Sequence, residues 1–130
     1  MKSQRTKVIA TILGAVVILT PIVLTAAQKP KYTVKEVMKA INKGDDNIGK
    51  RVAKGQASKE DIAKMVEYYE SLPLNDPPRG DKAAWEHRTT ALLKAAKDVQ
   101  AGKPNALQEY KEAANCKACH MEHKPEDKKK

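Results

Sequence analysis

From residue 33 onward the apolar side chains recur at spacings of three, four and seven, and no stretch alternates apolar with polar. A period near 3.6 belongs to a helix with one buried face, whereas a half-buried strand alternates. The chain is therefore expected to be all-α. A first segment opens at Thr33 as N-cap, carries Val34, Val37, Met38, Ile41, Ile48 and Val52 on one face, and fades at Gly55. Gly44, Asp45, Asp46 and Gly49 weaken its middle, so a kink is expected near 44–47. The second starts at Ser58, with Asp61 as partner in a capping box, and runs through Ile62, Met65, Val66, Tyr69 and Leu72 until Pro73 stops it.

Residues 73–80 read as a loop. Its Arg79-Gly80-Asp81 triplet matches an adhesion tripeptide, but a loop end followed by an Asp N-cap explains those residues better. A third helix follows from Asp81 to Ala101, with Trp85, Leu92 and Val99 seven apart and Gly102 as its C-cap glycine. The fourth begins at Pro104 or Asn105, carries Leu107, Tyr110 and Ala114, and ends at Pro125. Four amphipathic helices with mostly short links predict an antiparallel four-helix bundle over 28–124, with a charged, disordered tail at 125–130.

Ahead of this domain, residues 1–27 hold Lys2, Arg5 and Lys7 but no acidic residue. An apolar run of 19 residues follows, from Val8 to Ala26, interrupted only by Thr, Gly14 and Pro21. That order is an export signal, with cleavage expected after Ala27. The run is also close to the about 20 apolar residues that cross a bilayer, so an uncleaved inner-membrane anchor is the alternative. Either way the domain is delivered outside the cytoplasm, and the periplasm is the expected compartment.

Of the 25 basic residues 22 fall in 28–130 with all 16 acidic ones, a formal balance of +6. An exported chain without aromatic-basic clusters is not expected to bind nucleic acid. The basic balance suits docking to an acidic protein or an anionic membrane surface. The apolar stock is thin, with no Phe, one Trp and four Tyr, and much of the remainder is Ala. A core of this kind gains from a large apolar filler.

Cys116-Lys117-Ala118-Cys119-His120 carries the most specific chemistry. C-x-x-C-H is the attachment pattern of haem c. On a helix the two thiols lie about one turn apart and face the same way, each able to add to one haem vinyl group. His120, four residues after Cys116, shares that face and is the expected axial ligand. Three other chemistries use such cysteines. A structural disulfide is poorly served by a pair in mid-helix, and a thioredoxin-like redox pair wants a βαβ setting. A zinc site would need Cys116, Cys119, His120 and His123 together, all crowded on one helical stretch.

The motif, its position near the C-terminus and the helical layout resemble the cytochrome c′ family, including its low-spin cytochrome c556 relatives. That family ends its fourth helix with CxxCH, often followed by two residues, an aromatic and a basic one; here these positions are Met121, Glu122, His123 and Lys124, with His123 replacing the aromatic. The resemblance covers 33–124 in layout and 116–124 in motif. It implies one covalent haem c packed between helices near one end of a bundle, in a bacterial periplasm.

Members of that family divide on the second axial position. In some it is open and binds nitric oxide or carbon monoxide; in others a Met of the first helix fills it. In an antiparallel bundle Met38 and His120 would each stand roughly 6–8 Å from the same end, at 1.5 Å rise per residue. Met38 is therefore the expected sixth ligand, with Met65 or an open site as alternatives. Met121 and His123 rise from the same helix as His120 and cannot reach the opposite haem face. His87 reads as solvent-facing, and Trp85 and Tyr110 as core residues bordering the haem.

The expected function is single-electron transfer between redox proteins, not enzymology. Lys117 or Lys124 would orient an acidic partner. Gas binding at an open distal site is the alternative. Peroxidase chemistry lacks an evident distal His or Arg. The membrane is a partner only if 1–27 is retained, and the sequence leaves open a homodimer.

Overall fold

The computed structural model describes residues 27–126. Residues 1–26, with nearly all of the expected export or anchor segment, and residues 127–130 of the tail lie outside them. The described chain is all-α, with no strand and no helix long and apolar enough to cross a membrane. Its helices are α1 (Val34–Asn42), α2 (Ile48–Ala53), α3 (Lys59–Tyr69), α4 (Lys82–Gln100), α5 (Ala106–Ala113) and α6 (Cys116–His123).

Local chemistry sets most of these boundaries. Thr33 and Glu36 form a capping box at the start of α1, the Glu36 carboxylate accepting from the Thr33 amide at 2.8 Å. Ser58 and Asp61 do the same for α3. The Asp81 carboxylate accepts from the Ala84 amide at 2.8 Å and opens α4. Such caps satisfy amides that the helix cannot pair internally. Gly102, at φ +68°, ends the turn after α4.

Two expected helices are broken in two. The kink foreseen near 44–47 is a full interruption. Lys43 is extended, Gly44 sits at φ +92°, and Asn47 begins a new helix. The buried Asn47 side chain donates to the carbonyls of Asn42 at 3.2 Å and Gly44 at 2.8 Å, while its oxygen accepts from Lys50 N at 2.9 Å. The expected fourth helix breaks at Ala114 and Asn115. There the Asn115 side chain accepts from the Ala118 amide at 3.0 Å, so a new N-terminus replaces a continuous ladder.

Pairwise packing links α1 and α2 to α3, α3 to α4, α4 to α5, and α2 to α5. Val37, Ile41, Val52, Met65, Leu72, Trp85 and Tyr110 are almost fully buried between them. The segment after α3 is held firmly. Trp85 Nε1 donates to the carbonyls of Leu72 (3.1 Å) and Asn75 (2.9 Å), and Asn75 Nδ2 donates to those of Tyr32 and Ser71.

Two carboxylates are held by charge, one between helices and one at the end of α4. Asp61 receives both arms of Arg51 at 2.9 and 3.0 Å, joining α3 to α2. Asp98, buried on α4, is gripped by Lys103 and Lys94. The Arg51 guanidinium holds the Asp61 carboxyl below its usual range, and Lys103 and then Lys94 do so for Asp98. Both groups bind protons more weakly folded than unfolded. Their stabilisation is complete above the unfolded aspartate pKa of about 3.9 and is lost as pH falls through the lower folded values. Thermal melts between pH 7 and pH 2 should therefore show a falling Tm below about pH 4. The Asp61→Asn, Asp98→Asn double variant should melt lower at pH 7 and respond less to acid; an acid limb as steep as wild type would exclude this account.

Candidate functional site

The break at Asn115 starts α6 directly at the motif, so its first turn carries Cys116 and Cys119 on one side. Both thiols are free, Cys116 exposed and Cys119 half-buried. With His120 they form one wall of a cleft of about 300 Å³, whose open space including the mouth is about 1100 Å³. Ligand pockets commonly begin near this size, about 300–1,000 Å³. Leu72, Trp85 and Leu92 supply apolar surface, and Ala113, Ala114 and Ala118 add small side chains beside the motif. Met38 and Asn42 of α1 also line it.

The cleft therefore brings together the four residues that the sequence singled out: Met38, Cys116, Cys119 and His120. Met65 does not line it; it is fully buried in the core. Met38 is half-buried, and its Sδ lies 3.4 Å from Asn42 Nδ2, one helical turn on, which donates to it. His120 is exposed.

Several cleft residues escaped the sequence reading. His87, expected to face solvent, is indeed exposed, yet it borders the mouth with Arg88. Arg88 Nε donates to Glu122 Oε2 at 2.9 Å, tying α4 to α6. Tyr69 lines the cleft, and its buried hydroxyl lies 3.3 Å from that of Tyr110. Burial pushes both phenols up, so the pair remains protonated. The available signal was the α4 spacing, since Trp85, Arg88, Thr89 and Leu92 repeat at three and four.

The geometry weighs on the rival chemistries. Burial pushes the Cys119 thiol up, and Arg88 only partly opposes it. That shift is compatible with a redox pair, whose attacking thiol is the first of the two. What weighs against it is the lack of any strand among the described residues, and so of a βαβ setting. For zinc, His123 would have to join the two thiols. Instead its ring is buried against Trp85, with centroids 5.3 Å apart, and its Nδ1 lies 2.9 Å from the Arg79 carbonyl oxygen. Among the described residues no three His, Cys, Asp or Glu side chains gather to hold a metal ion.

The Arg79-Gly80-Asp81 triplet is committed elsewhere. Arg79 donates to the carbonyls of Met121 and Glu122, and Asp81 caps α4. No family model, curated protein or solved structure matches the chain.

Proposed function

We propose that this chain is a mono-haem c-type cytochrome of the cytochrome c′ kind, carrying single electrons between redox proteins outside the cytoplasm. One observation supports it most. The two thiols and the imidazole of a CxxCH motif share an apolar cleft with a methionine from a different helix. The residues present fit a haem: two free thiols for thioether links, and His120 and Met38 as the residues that would ligate its iron, beside apolar walls. When bound, haem supplies a one-electron couple whose potential a thioether ligand raises.

The chain's own residues have definite tasks in this reading. Cys116 and Cys119 would hold the haem through thioether links to its two vinyl groups. Leu72, Trp85 and Leu92 exclude water from the cleft. Met38 must release Asn42 to ligate, a bond weak enough to exchange because sulfur is a poor acceptor. The helices read as a four-helix bundle with two interruptions, α1 and α2 forming the first member and α5 and α6 the fourth. The packing of α2 on α5 supports that arrangement, since it would bring the first and fourth members together.

Met38→Ala tests the axial assignment. Optical spectra of the ferric and ferrous protein should be low-spin in the wild type and barely respond to carbon monoxide. In the variant the ferrous form should become high-spin and bind carbon monoxide rapidly, while Met65→Ala should alter stability alone. The Asn42 bond to the Met38 sulfur favours one second reading, in which Met38 stays on α1 and the distal side is open to nitric oxide or carbon monoxide. Wild-type ferrous protein binding carbon monoxide as readily as Met38→Ala would establish that reading instead.

A further inference from the structure

The break at Ala114 and Asn115 uncouples α6 from α5, so the direction of α6 has to be set elsewhere. Its far end meets residues 79–80, which precede α4. His123 is 2% exposed, with Nδ1 2.9 Å from the Arg79 carbonyl oxygen. A carbonyl only accepts, so Nδ1 carries the proton. Nε2 is buried without a hydrogen-bond partner, and Glu122 Oε2 is 3.7 Å away. An unpaired buried nitrogen is costly, so the Nδ1 bond and the packing on Trp85 must outweigh it.

The contact is reciprocal. The Arg79 guanidinium donates back to the carbonyls of Met121 and Glu122, which belong to the last turn of α6 and lack partners within the helix. Gly80 completes the fit. It sits at φ +84°, and a Cβ there would come within 2.8 Å of the Glu122 carbonyl oxygen and 3.1 Å of His123 Nδ1. The loop backbone and the end of α6 thus touch where only glycine allows it.

We propose that Arg79, Gly80 and His123 form a clasp that sets the attitude of α6, making His123 the positioning residue for the imidazole of His120. The inference rests on the haem reading of the cleft. His123 and His120 lie within one turn of the same short helix, so a tilt released at His123 is transmitted to His120. The clasp also explains a histidine at a buried position that an apolar ring could otherwise fill: the Nδ1 donor is what the loop requires.

Two substitutions at 123 separate donor from ring. His123→Asn retains an N–H near Nδ1 and loses the ring; His123→Phe retains a ring against Trp85 and loses the donor. Gly80→Ala attacks the clasp from the loop without touching α6. The readouts on the full-chain protein as isolated are amide hydrogen exchange at Lys124, whose N–H bonds to the His120 carbonyl at 3.1 Å, and the low-spin haem spectrum with its reduction potential. His123→Phe and Gly80→Ala should speed that exchange about tenfold, the worth of one hydrogen bond of this kind. Both should also shift the spectrum and potential, while His123→Asn stays nearer wild type on every readout. Spectrum and potential unchanged in His123→Phe would overturn the proposal, as would His123→Asn more disturbed than His123→Phe, which is the pattern of packing alone. A wild-type chain without haem would defeat the haem reading, and with it any role of the clasp in ligand positioning; the exchange comparison would still report whether the clasp holds α6.

Discussion

Replacing Cys116 and Cys119 together by alanine will yield a chain from which acidified organic solvent removes all haem. These are the only two cysteines in the sequence, so no other thioether can form. The expected change is complete: covalent haem in the wild type, none in the double variant. Each single variant should retain one link and a shifted ferrous spectrum, because one vinyl group survives. The alanines leave His120 and Met38 in place, so the double variant can still take up haem non-covalently, with axial bonds alone to hold it. Haem that remains with the denatured double variant would show attachment through some other residue and end the c-type assignment. If wild type carries no haem when produced with an export and haem-ligation system, the function proposed for the cleft fails outright.

Trp85→Ala should be the most damaging single change to the fold. Trp85 is 2% exposed and is the one tryptophan in a chain without phenylalanine, so no neighbour of similar size can fill its place. Truncations of this kind cost about 3–5 kcal/mol. The indole N–H also serves two carbonyls, Leu72 and Asn75; that of Leu72 keeps the Asn75 amide as donor, while that of Asn75 would be left to find another partner. Against a total stability of about 5–15 kcal/mol, the variant should be barely folded or unfolded at 37 °C. Trp85→Phe restores part of the ring but not the donor, and should cost about 1–3 kcal/mol, for the Asn75 carbonyl and the lost ring volume. Leu74→Ala, at a 41% exposed position, is the control and should change stability by about 0.5 kcal/mol or less. Urea unfolding followed by tryptophan fluorescence, or by far-ultraviolet dichroism for the Trp85 variants, checks the order. A Trp85→Ala midpoint close to that of Leu74→Ala would mean the core does not depend on the indole.

Trp85 also connects stability to the site, since it lines the cleft and its ring meets the His123 ring edge-on. Partial loss of packing at Trp85 should therefore loosen α6 before it unfolds α3 and α4. This couples the second prediction to the clasp: Trp85→Phe should speed exchange at the end of α6 more than within α4.

What could be read directly from the residues was local. Thr33, Ser58 and Asp81 cap their helices because a short polar side chain two or three residues before an amide can reach it whatever the rest of the chain does. The helical class followed from apolar spacing, and the grouping of Cys116, Cys119 and His120 from one turn of helix. Tertiary structure decided the rest. Asn47 and Asn115 could have faced solvent from inside longer helices; they became caps where α1 gives way to α2 and α5 to α6. Met38 and Met65 both lie on apolar stripes, and only their levels along an assumed antiparallel bundle favoured Met38; the structure sets Met38 on the cleft and buries Met65 in the core. His123 read as the replacement for an aromatic residue of the family motif and as a zinc ligand to be weighed, with no sign of the contact that buries it. Its burial depends on a loop 44 residues earlier in the chain, and a carbonyl brought close by folding is invisible to any local pattern.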